Sequence, residues 1–495
     1  MFIQAAEHPS LRSRPERERL FQRCLDHIPD VETYISLWFH GATLDQLLRE
    51  NVEDWILWAV FSADRFELQD HPEWSQELEG YVIACEKTMN LHFAEGRNPK
   101  VKSIRLTLDD VHIIHRPLVW YMVRAVIQRL REISWLMHLQ IVALVDNLTS
   151  VAFWLLGFRH YAGPGWFAMF PFRPQTTLCS QSSEPLSYWM RPHSATDKHP
   201  IVFVHGLGVG VISVTFHLAS LTCQQIGLFA YIRFFYMLTR TEPGVGIIAI
   251  ELMPVSMRIT APILPRKQMV SAIHNILARH QFRKVVFMAH SYGSIVASHM
   301  LHCDSTTTND TSSAPDENTP LVRSGGDISN THSLIHSMLL IDPVAILLHL
   351  PTTANHFVYR IPREANEHQL WYFASRDAGI AHTLSRRFFW ADNLLWKTDL
   401  TTDVLAGGAA VVISERDQIT PAADIWTYLT GRSPREVGTE SLDVVRWRSA
   451  PEETFDGKPL DLEVLLERGL DHAQVFDVES RLAQVVSILQ RLATD

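Results

Sequence analysis

Up to about residue 160, apolar residues recur at three- and four-residue spacing, as at Leu44, Leu47 and Leu48 and again at Trp55, Trp58 and Val60 or Phe61. That period places them on one face of a helix and predicts an all-helical N-terminal region, residues 1–175. From about Leu178 onward the pattern changes to short β-rich runs separated by helical stretches. This alternation is expected of an α/β fold with a mostly parallel sheet covered by helices on both faces. The strand candidates are PIVFVHG (200–206), GIIAIEL (246–252), KVVFMAHS (284–291), SMLLIDP (337–343), AAVVIS (409–414) and DLEVLLE (461–467).

Four stretches stand apart from this alternation. Residues 133–158 are long enough to cross a bilayer at ~1.5 Å per residue, but His138, Gln140, Asp146 and Asn147 fall inside the span. Ionisable groups there are expensive, so a helix packed on the second domain or lying at a membrane interface competes with a true span. Residues 226–238, IGLFAYIRFFYML, are apolar but too short to span, which leaves core, substrate entrance and interfacial anchor as uses. Residues 303–333 are rich in Ser, Thr, Asn, Asp and Gly without an aromatic, the composition of a flexible surface insertion. Residues 351–400 carry nine aromatics, about twice the chain average of 10%, clustered as 371–373 and 388–390. No internal repeat of 20–50 residues is present.

Composition narrows the classes. With 495 residues, 46% of them hydrophobic and 20% charged, the chain can bury one large core or two, which excludes disordered and collagen-like proteins. Lys and Arg number 44 against 54 Asp and Glu, for a formal charge of −10 without a basic block, so nucleic acid is excluded as an expected partner. Five scattered cysteines (Cys24, Cys85, Cys179, Cys223, Cys303) with no C-x-x-C fit a reducing compartment rather than a disulfide framework or zinc knuckle. The first twenty residues lack the apolar run of a secretory signal. Arg12, Arg14, Arg17 and Arg19 are interleaved with Glu7, Glu16 and Glu18, which reads as a solvated helix face rather than an acid-poor presequence. An intracellular site, cytoplasmic or membrane-associated, is therefore expected, with a membrane surface as the candidate partner for the apolar stretches.

Chemistry concentrates at KVVFMAHSYGSIVASHML, where an apolar strand runs into Ala289, His290, Ser291, Tyr292 and Gly293 and then into a helical pattern. A Ser in such a place also reads as a helix cap. The segment resembles the nucleophile elbow of the α/β-hydrolase superfamily, with Ala289 in place of the first Gly of G-x-S-x-G. A nucleophile in a strained, positive-φ turn needs small residues two before and two after it; Gly293 meets that need fully and Ala289 only in part. Some 85 residues earlier, His205, Gly206, Leu207 and Gly208 end a strand and resemble the oxyanion loop of the same superfamily. The resemblance implies that the backbone N–H groups of Leu207 and Tyr292 are the donors to a developing oxyanion. A phosphate-cradling loop is disfavoured, because both the downstream Lys-Ser/Thr of a P-loop and the G-x-G-x-x-G form are missing.

In this superfamily the acid and the histidine follow the serine in that order. Asp417 follows the run AAVVIS, 126 residues after Ser291, and His472 follows DLEVLLE another 55 residues on. Asp342 ends the LLIDP run and is the alternative acid, since some hydrolases carry theirs there. Asp471, next to the histidine, reads as an exposed turn residue. His332 and His336 have i, i+4 spacing but lack the Glu of H-E-x-x-H, so neither a metal nor a cofactor is expected.

The resemblance covers roughly residues 178–495 and implies a serine hydrolase of esterase or lipase type, with residues 351–400 as a helical lid. Aromatics over an active site favour an apolar or acyl substrate, although they can equally be the core joining lid to N-terminal helices. Two other readings stay open: a silent hydrolase-fold scaffold for a protein or membrane partner, and an acyltransferase using the same serine.

Overall fold

A computed structural model describes residues 5–114, 148–162, 176–178, 185–208, 227–256, 260–302, 334–434 and 443–494. The insertion expected at 303–333, residues 133–147 of the long apolar stretch, and His332, Cys179, Cys223 and Cys303 lie outside these residues.

Six strands form a parallel centre: β4 (Ile201–Val204), β5 (Ile247–Glu251), β6 (Val285–His290), β7 (Ile335–Ile341), β8 (Ala409–Ser414) and β12 (Leu462–Glu467). They are paired in the order β5-β4-β6-β7-β8-β12. Both faces of these strands are covered, so their sequences are nearly continuous in apolar residues instead of alternating. All six correspond to runs expected to be strands. Flanking strands extend the sheet: β3 (Ser187–Arg191) is antiparallel to β5, and β9 (Val444–Arg448) is antiparallel to β12. Beyond β3 lie β1 (Arg159–Ala162) and β2 (Thr176–Leu178), so the sheet begins inside the stretch read as all-helical. A small hairpin, β10 (Thr454–Phe455) with β11 (Lys458–Pro459), stands apart.

Alternate residues of each strand point to opposite faces, and they enter two different cores. Phe203, Ala249, Met288, Leu339 and Val412 face the C-terminal helix Glu479–Leu492 and the helix Ile232–Thr241. The segment at 226–238 thereby resolves in favour of core over its described length: Tyr231, Phe234, Phe235 and Leu238 are buried, with Phe203 4.8 Å from Tyr231 between ring centres. On the other face Val204, Ile250, Phe287, Ala289, Leu340 and Ile413 belong to one cluster with the lid and the N-terminal helices. The aromatics of 351–400 therefore do join the lid to the N-terminal region.

Among the described residues of that region, four longer helices stand out: α1 (Arg14–Leu25), α2 (Val31–Trp38), α3 (Arg49–Ile56) and α4 (Trp74–Met89). Ser13 starts α1 with a capping box, its N–H donating to Glu16 at 2.9 Å, and Pro15 fits the first turn, where no N–H is needed. Asp30 caps α2 through the Thr33 N–H. Trp55, Trp58 and Phe61 are buried, as their spacing predicts. One expectation fails at Arg17, which is not on a solvated face. Its guanidinium is buried, donates to Glu77 at 2.9 Å and so ties α1 to α4, with the Tyr81 hydroxyl on the same carboxylate. Arg12 likewise pairs with Asp392, joining the N-terminus to the lid. Residues 351–400 are a series of short helices. Helical residues 148–155 expose Leu148, Val151, Trp154 and Leu155 and bury Phe153. No helix among the described residues is long and apolar enough to cross a membrane.

Candidate active site

β6 ends at His290, and the helix Gly293–His302 begins three residues later, so the chain must reverse within Ser291 and Tyr292. Ser291 takes a left-handed conformation, φ 52°, which is unfavourable for a residue with a Cβ and persists only where the surroundings enforce it. The surroundings do so. The Ser291 N–H donates to the Ile341 carbonyl at 2.9 Å, and the Ser291 carbonyl accepts both the N–H of Ser294 (2.9 Å) and its hydroxyl (2.6 Å). Gly293 is required by contact: a Cβ there would come within 2.3 Å of the Val204 carbonyl oxygen. Gly206 is required likewise, since a Cβ on it would lie 2.7 Å from that of Ser291. Ala289 sits within β6, fully buried and outside the left-handed region, so its methyl packs in the sheet core without demanding glycine.

His472 reaches this serine from the loop after β12. Its Nε2 lies 2.8 Å from Ser291 Oγ and its Nδ1 lies 2.7 Å from Asp417 Oδ2. Asp417, in the loop after β8, is itself held by the N–H groups of Ile419 (2.7 Å) and Thr420 (3.0 Å) and by the Thr420 hydroxyl (2.7 Å). Burial alone would raise the Asp417 pKa, but the charge and hydrogen bond of His472, together with the Thr420 donors, hold it below the ordinary carboxylate value. Burial lowers the pKa of His472, yet the charge and hydrogen bond of Asp417, then Asp342 and Asp471, outweigh it and raise the imidazole to about 9.

Asp342 occupies the same neighbourhood in a different role. It is fully buried with φ 43°, and its carboxylate accepts from the Ser414 N–H (2.7 Å), the Ser414 hydroxyl (3.1 Å) and the Ala473 N–H (2.8 Å). It fastens the end of β8 to the residue after His472, while the ring itself is bonded to Asp417. Burial and the nearby charge of Asp417 push its pKa up to about 6. Asp342, Asp417 and His472 offer possible ligand atoms within 4.8 Å of one another, the one such grouping among the described residues. Asp417 Oδ2 and His472 Nδ1 face each other across a hydrogen bond.

Asp471 departs from its expected place on an exposed turn. It is buried and accepts from the Gln418 N–H (3.0 Å), the Gln418 side chain (2.9 Å), Asn366 of the lid (2.9 Å) and the His472 N–H (2.7 Å). This carboxylate thus joins the acid loop, the histidine loop and the lid. Asp471, Ser414 and Thr420 were not singled out as supports in the sequence, because a hydroxyl or carboxylate in a loop carries no sign of which backbone it will meet.

The loop after β4 supplies the remaining polar groups. His205 is fully buried; its Nδ1 donates to the Gly206 carbonyl (2.6 Å) and its Nε2 accepts from the Leu252 N–H (2.8 Å). The Gly206 N–H is taken by the Tyr231 hydroxyl (3.3 Å), which lies 2.8 Å from His290 Nδ1. Burial, with His472 and His205 nearby, keeps the His290 pKa well below its ordinary value, so that ring is neutral. The Gly208 N–H donates to the Val255 carbonyl (2.8 Å). Of the amides of Gly206, Leu207 and Gly208, that of Leu207 is the one without an acceptor among the described residues, and the amide of Tyr292 is in the same state.

Beside Ser291 lies a cavity of about 60 Å³ whose lining includes Leu207, Tyr292, Val344, Leu348, Phe357, Leu384 and Ile419. Trp38, Trp58 and Leu106 complete the wall from the N-terminal helical region, and Phe388 and Trp390 from the lid. Sequence reasoning had no means of assigning the tryptophans to this wall, since helical spacing marks a buried face without saying what covers it.

No protein-family model and no curated protein matches the chain. Solved structures do resemble it. One is a membrane phospholipase A described as a bacterial virulence factor, at 10% identity over 76% of this chain and 96% of that one, with a TM-score of 0.38. A putative lipase from Acinetobacter baumannii AYE is 11% identical over 70% and 96%, TM-score 0.36. A carboxylesterase from Bacillus subtilis is 8% identical over 70% and 97%, TM-score 0.35. The strand order β3-β5-β4-β6-β7-β8-β12, with a left-handed serine between β6 and its helix, gives this chain the α/β-hydrolase fold.

Proposed function

We propose that this protein is a serine hydrolase that cleaves an ester or related acyl bond of an apolar substrate. The observation that carries the reading is the unbroken relay from Ser291 Oγ to His472 Nε2 (2.8 Å) and from His472 Nδ1 to Asp417 (2.7 Å). In this reading His472 takes the serine proton as Oγ attacks the acyl carbonyl, and Asp417 orients the ring and stabilises the imidazolium. The negative oxygen of the tetrahedral intermediate accepts from the Leu207 and Tyr292 N–H groups, each worth about 3–4 kcal/mol in comparable sites. His472 then returns the proton to the leaving alcohol, and water deacylates the serine by the same route. The apolar wall beside Ser291 supports an acyl group as the part of the substrate held there. No cofactor or metal enters these steps.

The test is hydrolysis of p-nitrophenyl esters by the full chain and by Ser291→Ala, with product analysis in the presence of a competing alcohol. Free acid released by the wild type and not by the variant is the expected result. Acyl transfer to the alcohol in preference to water would replace hydrolase by acyltransferase. Equal turnover in the two proteins would remove Ser291 from the reaction.

A further inference from the structure

A second cavity, of about 90 Å³, lies in the N-terminal helical region, with Leu20, Phe21 and Leu25 of α1 in its lining. It shares four lining residues with the cavity beside Ser291: Trp38, Trp58, Phe388 and Trp390. The same four rings thus line both spaces. Two of them are pinned by hydrogen bonds that direct packing alone would not provide. The Trp58 indole N–H donates to the Thr107 hydroxyl at 3.0 Å, and the Trp390 indole N–H donates to the Ala59 carbonyl at 3.1 Å. Trp38 packs on Trp58 with ring centres 5.6 Å apart. An indole held at its N–H and packed on its faces is a fixed wall, since turning it aside would cost it that hydrogen bond, and at the buried Trp58 would leave the donor without an acceptor.

Resting on the serine-hydrolase reading, we propose that Trp58 and Trp390 are the floor of the acyl site and set the length of chain the enzyme accepts. Acyl chains fill the first cavity from Ser291 outward past Tyr292 and Phe388, and stop against the two indoles. The space beyond is closed to them in the native protein. Chain-length specificity therefore comes from one tryptophan of the N-terminal helical region and one of the lid, neither of which touches the reacting atoms.

The experiment is a series of p-nitrophenyl esters from acetate to palmitate, comparing wild type with Trp58→Ala, Trp390→Ala and Ala354→Trp. The readout is kcat/KM of each ester relative to the shortest one within the same protein, so that the fraction folded cancels. In wild type the ratio rises by about fourfold per methylene, the preference expected for burying each group, until it breaks at the chain length that meets the indoles. Removing either indole moves the break to longer chains; Trp390 is only half-buried, so that variant serves even if Trp58→Ala does not fold. Ala354→Trp narrows the first cavity from the lid and moves the break to shorter chains. A break that stays in place in a folded Trp390→Ala protein overturns the proposal, as does a wild-type ratio that climbs unbroken to palmitate. Failure of the underlying reading looks different: no ester is cleaved and a fluorophosphonate does not label Ser291.

Discussion

The two sides of Ser291 are built on different principles. On the sheet side, Ser291, His472 and Asp417 sit at the ends of parallel strands and are fixed by directional bonds to backbone, such as Ser291 N–H to Ile341 and Thr420 N–H to Asp417. On the helical side, the cavity wall brings Trp38 and Trp58 of the N-terminal region together with Phe388 and Trp390 of the lid, and apart from the single indole hydrogen bonds of Trp58 and Trp390 it is held by packing. Directional bonds fix a few atoms to within tenths of an ångström, which proton transfer needs. Packing fixes a shape, which suffices to select among apolar groups. Substitutions on the first side should therefore act on rate, and those on the second on stability and substrate choice.

The sharpest way to break that contrast is on the sheet side. Ser291→Ala and His472→Ala are each expected to lower kcat by on the order of 10⁶, with the denaturation midpoint nearly unchanged. A loss of folding in step with activity would erase the distinction. Next come the two aspartates. Asp417→Asn should cost about 10⁴ in kcat, because an amide cannot hold the imidazole in the tautomer that leaves Nε2 free as acceptor. Asp342→Asn leaves the ring bond in place and should cost far less. If the larger loss falls on Asp342, the assignment of the acid is reversed.

On the helical side, Trp58→Ala should lower unfolding free energy by about 3–5 kcal/mol, measured by urea denaturation, as expected for a large buried ring removed from a packed wall. A cost near zero would mean that the wall tolerates collapse and that packing does not define its shape.

The smallest effect concerns pH and refines the sheet side. His472 must be neutral to accept the serine proton, and nearby carboxylates favour its charged form, raising its pKa to about 9. Activity, as kcat/KM, is then expected to rise with pH along a limb above the ordinary histidine range. Asp342→Asn removes one of the charges that stabilise the imidazolium, so the limb should move to lower pH. A limb that stays in place or moves up would mean that Asp342 does not act on the ring.

Legibility in the sequence follows the same division. The six central strands were readable because a strand covered on both faces must be apolar throughout, as in VVFMAH and AAVVIS. The flanking strands were not, because β1 is four residues long with Arg159 and His160 in it, and β9 alternates buried and exposed positions around two arginines. Ser291, Asp417 and His472 were legible as candidates since each follows an apolar run in a characteristic order, and the structure brings them together. In the sequence Asp417 is preferred to Asp342 from its place after AAVVIS, but Asp342 stays open as the alternative, because which of two carboxylates ending adjacent strands meets the imidazole depends on loop geometry. Arg17 and Asp471 were misread as solvated for the same reason: their partners, Glu77 and Gln418, lie more than fifty residues away.

The most direct test of the central claim is covalent labelling of the full chain by a small fluorophosphonate, with the modified residue located by peptide mass spectrometry. The geometry predicts stoichiometric modification of Ser291, abolished in His472→Ala although the serine is still present. Absence of labelling in a folded wild-type protein, or modification of a different serine, would contradict it.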